Sequence, residues 1–159
     1  MKTIEINVFS FDELDDRAKE KAREWYRVSS DYPWFDEAKD CLTAFCDHFG
    51  VKVKDYSLGD SSGYVTTNAT NENFRGVKLS EQDRDKMPTG LWLDCELFAH
   101  FYDEFKRTGN AKGAFDDALY NFTRAVRNDV EAYYSDECID EHLTINDYQF
   151  TENGNAKFF

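Results

Sequence analysis

The residues of this chain able to do chemistry are mostly carboxylates: 32 Asp and Glu stand against 19 Lys and Arg, for a formal net charge of −13. At that density two acids fall near one another by chance, so proximity alone does not mark a general acid–base pair. Glu37-Ala-Lys39 and Glu104-Phe-Lys106 have the E-x-K spacing of some metal nucleases. Both fall in stretches of helical periodicity, not on the strand that ordinarily presents such residues, and they read as solvated charges. Cys41, Cys46 and His48 crowd one stretch, but residues five apart on a helix point about 140° away from each other, which defeats a shared tetrahedral site. The two thiols read as flanking a core. Cys138 and His142, four apart, do share a helix face, yet two ligands do not make a structural zinc site, and a half-buried core histidine is the simpler reading. Gly59-Asp-Ser-Ser-Gly63 is wrongly spaced for a phosphate loop and reads as a hairpin turn. No G-x-S-x-G, P-loop, H-E-x-x-H or G-x-G-x-x-G is present. The residues therefore predict a protein that is not an enzyme and needs neither metal nor cofactor.

One charge pattern does rise above the background. Across 128–156 stand Asp129, Glu131, Asp136, Glu137, Asp140, Glu141, Asp147 and Glu152, with no Lys or Arg among them. Ser135-Asp-Glu starts a helix with acids in its first turn, where the positive end of the helix dipole favours them. At 100° per residue Asp136, Glu137, Asp140 and Glu141 fall on one side. Cys138, Ile139, His142, Leu143 and Ile145 fall on the other. The four acids are thus predicted to face water together, and the eight carboxylates are the candidate partner-binding residues. The acids of an earlier helical stretch, Asp94, Glu96, Asp103 and Glu104, are the next candidates.

Acidity on this scale excludes whole classes of partner. Net negative charge reverses the phosphate attraction that dominates binding to DNA, RNA or an anionic membrane surface, so direct nucleic-acid or membrane binding is not expected and basic proteins are the natural partners. Acids also keep proteins soluble, and charge alone does not separate that role from recognition. Aromatic residues make up 16% of the chain and hydrophobic residues 41%, enough to build a core despite a mean hydropathy of −0.73. A length of 159 residues fits one domain, 1–159. The N-terminus lacks the apolar core of a secretory signal, no apolar run is long enough to span a bilayer, and four scattered cysteines fit reduced thiols, so a cytoplasmic protein is expected.

The elements that must position the acids can be read in order. Ile4, Ile6 and Val8 alternate with polar residues, predicting a first strand. Ser10-x-x-Glu13 has capping-box spacing and Asp15 is an equally good N-cap for the helix carrying Leu14, Ala18, Ala22, Trp25 and Ser29. Pro33 suits the first turn of a second helix, whose stripe Phe35, Ala38, Leu42, Phe45, Phe49 ends at Gly50. Strands around 51–56 and 64–70 predict a hairpin. From 71 to 88 no element is assigned beyond a helical turn opened by Ser80. A third long helix runs from Leu91 to Gly109 and a fourth from Phe115 to Tyr133. Asn153-Gly154 predicts a terminal hairpin over 148–159 with a type I′ turn. The fold predicted is α+β: four or five helices on one face of a small, mainly antiparallel sheet, with a C-terminal β-hairpin.

Two segments also carry a resemblance. Phe11-Asp-Glu-Leu-Asp-Asp-Arg-Ala-Lys-Glu-Lys-Ala-Arg-Glu-Trp-Tyr-Arg27, and Tyr133-Tyr-Ser-Asp-Glu through Asn146-Asp-Tyr-Gln-Phe-Thr-Glu-Asn-Gly154, resemble a group of small acidic proteins of phages and prophages, some labelled as toxin–antitoxin antitoxins. The resemblance carries no catalytic residue. It implies a setting, a phage product acting on host machinery in the bacterial cytoplasm. The expected function is then an anti-CRISPR or anti-restriction type inhibitor that covers a basic nucleic-acid-binding surface of a host complex by DNA mimicry. The alternative is an antitoxin that neutralises a cognate basic toxin.

Overall fold

The computed structural model describes residues 1–157. In chain order its elements are β1 (Phe9–Ser10), α1 (Asp16–Ser29), α2 (Phe35–His48), β2 (Val53–Ser57), β3 (Tyr64–Thr67), α3 (Glu81–Arg84), α4 (Leu93–Thr108), α5 (Ala111–Tyr133), α6 (Asp136–Ile145), β4 (Gln149–Phe150) and β5 (Ala156–Lys157), with 3₁₀ turns at Phe11–Glu13 and Asn71–Phe74. The fold is α+β. In place of one sheet there are two small antiparallel ones, ordered β1-β4-β5 and β2-β3. Contacts gather into two compact units: Met1–Tyr32 together with the residues from Glu131 on, and Pro33–Val130. Among the described residues no helix is long and apolar enough to cross a membrane.

In the unit made of the chain ends, local signals determine the helix boundaries. Both predicted N-terminal caps exist at once: Ser10 and Glu13 close a capping box on the 3₁₀ turn, and Asp15 accepts a hydrogen bond from the Ala18 N–H to start α1. Ser135 caps α6 through the Cys138 N–H. Phe11, Leu14, Ala18, Ala22, Tyr26, Ile139, Leu143 and Phe150 form the core of this unit. Ile145, placed on the apolar side by periodicity, is 69% exposed, because at 100° per residue it lies about 200° around the helix from the buried Leu143, away from the core.

Two strand predictions need correction. The alternating Ile4, Ile6 and Val8 form no strand; only Phe9 and Ser10 pair, with Phe150 and Gln149, and Ile4 is 77% exposed. The pattern is there, but β4 is two residues long and offers no more backbone to pair with. The terminal hairpin does form, with Phe150 opposite Ala156 and Gln149 opposite Lys157, but its turn is not type I′. That turn needs positive φ at both Asn153 and Gly154, and only Gly154 has it, at 79°. Gly154 N–H donates to Thr151 O, and Thr151 N–H to Asn155 O, giving a three-residue loop closed by a left-handed glycine. Phe158 and Phe159 of the predicted hairpin lie outside the described residues.

The unit Pro33–Val130 is built on aromatic packing. The Phe45 ring stacks on Phe115 at 5.3 Å between centroids and meets Phe98 edge-on at 5.1 Å, while Phe49, Phe74 and Phe101 complete the cluster. Helix α2 follows its predicted stripe, starts at Phe35 just after Pro33, and ends before Gly50 at a φ of 64°. The 51–70 hairpin forms as β2 and β3, and Ser80 opens the short α3 by accepting from the Asp83 N–H. Cys41 and Cys46 are buried in this core, and burial pushes both thiols up to about 12. They are packing residues, inert as nucleophiles.

Candidate acidic binding surface

Helix α6 holds four of the candidate acids, and the structure does not leave all four to water. Arg23 Nε and Nη2 of α1 each donate to Asp140, both at 2.7 Å. Arg27 donates to Asp136 and, at 3.2 Å, to the carbonyl of Tyr134. The forked guanidinium matches the carboxylate of Asp140 with two parallel bonds, and that contact is the main reason the Arg23 pKa is driven up. The expectation that Asp136, Glu137, Asp140 and Glu141 face water as one set is therefore corrected: two of them fasten α6 to α1. The sequence held a signal for this. Arg23 and Arg27 are four apart, as are Asp136 and Asp140, so two facing helices can match one ladder to the other.

What remains is a smaller acidic set. Glu137 and Glu141 are exposed, one turn apart, with no ion pair among the described residues. Asp147 is exposed just past the α6 C-cap, and Glu152 is exposed in the hairpin loop. Glu131 belongs to the same unit, at the end of α5, while Asp129 falls in the other. The surface next to Glu152 is a groove of about 540 Å³ that also draws on Asp15, Arg17, Glu20 and Lys21. Glu24 lines it too, so four acids stand against Arg17 and Lys21 and the groove is net acidic.

Asp147 has an unusual backbone. It is the one non-glycine described residue with positive φ, at 52°. Its N–H donates to Thr144 O and the following Tyr148 N–H donates to Leu143 O, the paired bonds of a Schellman C-cap in which the left-handed position is normally glycine. An aspartate there combines backbone strain with a negative charge at the negative end of the helix dipole. The acid is kept at a cost to α6.

The other candidates are placed differently. His142 packs between the rings of Tyr26 and Tyr148, at 5.1 and 5.9 Å, while Tyr26 O–H shares a 2.9 Å hydrogen bond with Tyr133 O–H. Among the described residues no three His, Cys, Asp or Glu side chains converge as a metal site would require. The reserve acids on α4 are all engaged. Asp94 is fully buried, its Oδ2 accepting from Thr89 N–H, Thr89 O–H and Gly90 N–H. Asp103 takes the Arg84 fork at 2.8 and 3.0 Å, Glu104 binds Arg107, and Glu96 accepts from Asn121. They serve the unit Pro33–Val130 as internal ties. Set against known proteins, the chain matches no family model, no curated protein and no solved structure.

Proposed function

We propose that this is a non-enzymatic, phage-encoded inhibitor whose acidic surface occupies a basic, nucleic-acid-binding surface of a host defence complex. The observation that supports the reading is the base-free acidic run of 128–156, in which Glu137, Glu141, Asp147 and Glu152 keep no ion pair among the described residues. Asp147 adds weight, because an acid retained in a strained position against the helix dipole suits a surface selected for charge. Carboxylates one helical turn apart stand about 6 Å from each other along the axis, a separation compatible with side chains that otherwise grip successive phosphates.

The test is competition. Purified protein should displace DNA from a target defence complex, with an association rate that falls as salt rises, since exposed charges are screened beyond about 10 Å at 0.1 M. If saturating protein leaves DNA binding and cleavage by every defence complex tried unchanged, the reading fails. Rescue of cells from a small basic toxin by co-expression would replace it with the antitoxin assignment.

A further inference from the structure

A second surface, in the other unit, has the opposite character. Between α2 and β2 runs a groove of about 390 Å³. Its floor includes Leu42 and Val51, both buried, and its rim carries Lys39, Lys52 and Lys54. None of these lysines has an ion pair among the described residues, in a chain whose net charge is −13. Of the two acids that line the groove, Asp55 is already engaged by Tyr64 O–H at 2.8 Å and by the Tyr56 N–H. Asp47 is the other.

The groove also lies along an open strand edge. The sheet there contains only β2 and β3, and no β3 residue lines the groove, so the groove follows the side of β2 that has no strand partner among the described residues. Lys52 spends its N–H and C=O on Asn68, towards β3. Strand alternation then turns the N–H and C=O of Val53 the other way, along the groove. Lys52 and Lys54 are both exposed and flank the half-buried Val53, with a register shift in the pairing between Val53 and Asp55, and Lys39 is supplied by α2.

We propose that this groove binds an extended acidic segment of a partner protein, added to β2 as a third strand. Main-chain hydrogen bonds to the Val53 edge supply affinity, and carboxylates at alternate positions of the segment meet Lys52 and Lys54. An acidic segment is the occupant because Lys39, Lys52 and Lys54 outnumber Asp47 and Asp55 in the groove lining and leave it net positive in a chain of net charge −13. The site is separate from the acidic surface and does not depend on it.

Selection of a random-peptide display library against the intact protein tests this. Enriched peptides should carry Asp or Glu at every second position, and a synthetic peptide of that pattern should slow hydrogen exchange at the Val53 amide. The double variant K52E/K54E should weaken that peptide by about tenfold or more, and V53P, which removes the edge N–H, should weaken it with the circular dichroism spectrum unchanged. Enrichment of peptides without that acidic pattern, no enrichment at all, protection at residues away from β2, or self-association through this edge in sedimentation would each overturn the proposal.

Discussion

Gly154 answers two demands at once. Its φ of 79° is one that a side chain strains to adopt, and a Cβ there would collide with the main chain of Ala18 in α1. Gly154→Ala should therefore destabilise the unit of the chain ends by about 3 kcal/mol, the sum of a left-handed alanine and an overpacked contact. Urea denaturation followed by Trp25 fluorescence, in a background where Trp34 and Trp92 of the other unit are replaced by Phe, reads this directly, and an unchanged midpoint would contradict the packing described. At Asp147 the sign reverses. Asp147→Gly removes strain and an unfavourable charge from the α6 C-cap and should stabilise by about 1 kcal/mol, measured the same way. If the proposed function holds, the same variant binds its target more slowly. His48 gives the chain a pH-sensitive group in the unit Pro33–Val130. Burial lowers its pKa, Lys86 adds to the effect and Asp83 opposes it, while the ring packs against Phe49 and Phe98. A folded value below the ordinary one of about 6.5 means that the unfolded chain takes up the proton first. The contribution of His48 is complete above that value and is lost as pH falls from there through the lowered folded value. His48→Gln should flatten this part of the stability–pH curve relative to wild type, and parallel curves would show that His48 does not titrate in the manner described.

At the level of elements, α6 separates acids that fasten from acids that are free to bind. Asp140 is bound by the Arg23 fork, with the Arg23 side chain 19% exposed, so Asp140→Asn should cost about 1 kcal/mol of stability. Glu137→Gln with Glu141→Gln should leave stability within about 0.5 kcal/mol, since exposed positions without partners rarely matter to folding. In the proposed function that same pair slows target association and reduces its salt dependence. Comparing thermal midpoints with association rates for the two variants checks both claims, and equal effects of both on stability would remove the distinction. Periodicity and caps made most helices legible, because stripes such as Ala38, Leu42 and Phe45, and caps such as Ser135 and Gly109, act within one or two turns. What the sequence hid depended on partners distant in the chain. Ile4 and Ile6 alternate like a strand, but pairing needs a neighbour that β4 is too short to provide. Asn153-Gly154 is ideal for a type I′ turn, yet the contact of Gly154 with Ala18 and the register of β4 on β5 select a longer loop. The acids of α6 look uniform until α1 presents Arg23 and Arg27 to two of them.

For the whole molecule, the open question is whether the two compact units fold independently. The unit Pro33–Val130 is a single continuous stretch, and it carries its own aromatic core around Phe45, Phe98, Phe101, Phe115 and Phe122. The other unit is discontinuous, and its core residues come from both ends of the chain: Phe11, Leu14, Ala18 and Ala22 from one, Ile139, Leu143 and Phe150 from the other. Continuity decides which can be cut free. A fragment covering 33–133, which keeps α5 whole, has all of its buried phenylalanines and both strands of its sheet, and at this size a contiguous core of that kind is enough to fold alone. The terminal segments joined directly to each other would have a smaller core, held together by the Arg23–Asp140 fork and a three-stranded sheet of two-residue strands. The 33–133 fragment should therefore unfold cooperatively in urea, with a single transition and dispersed amide resonances, and should retain the lysine-rimmed groove of α2 and β2 with its peptide binding intact. A fragment with collapsed, undispersed resonances would show that the aromatic core needs the chain ends to form, and the molecule would then fold as the single domain that the sequence predicts.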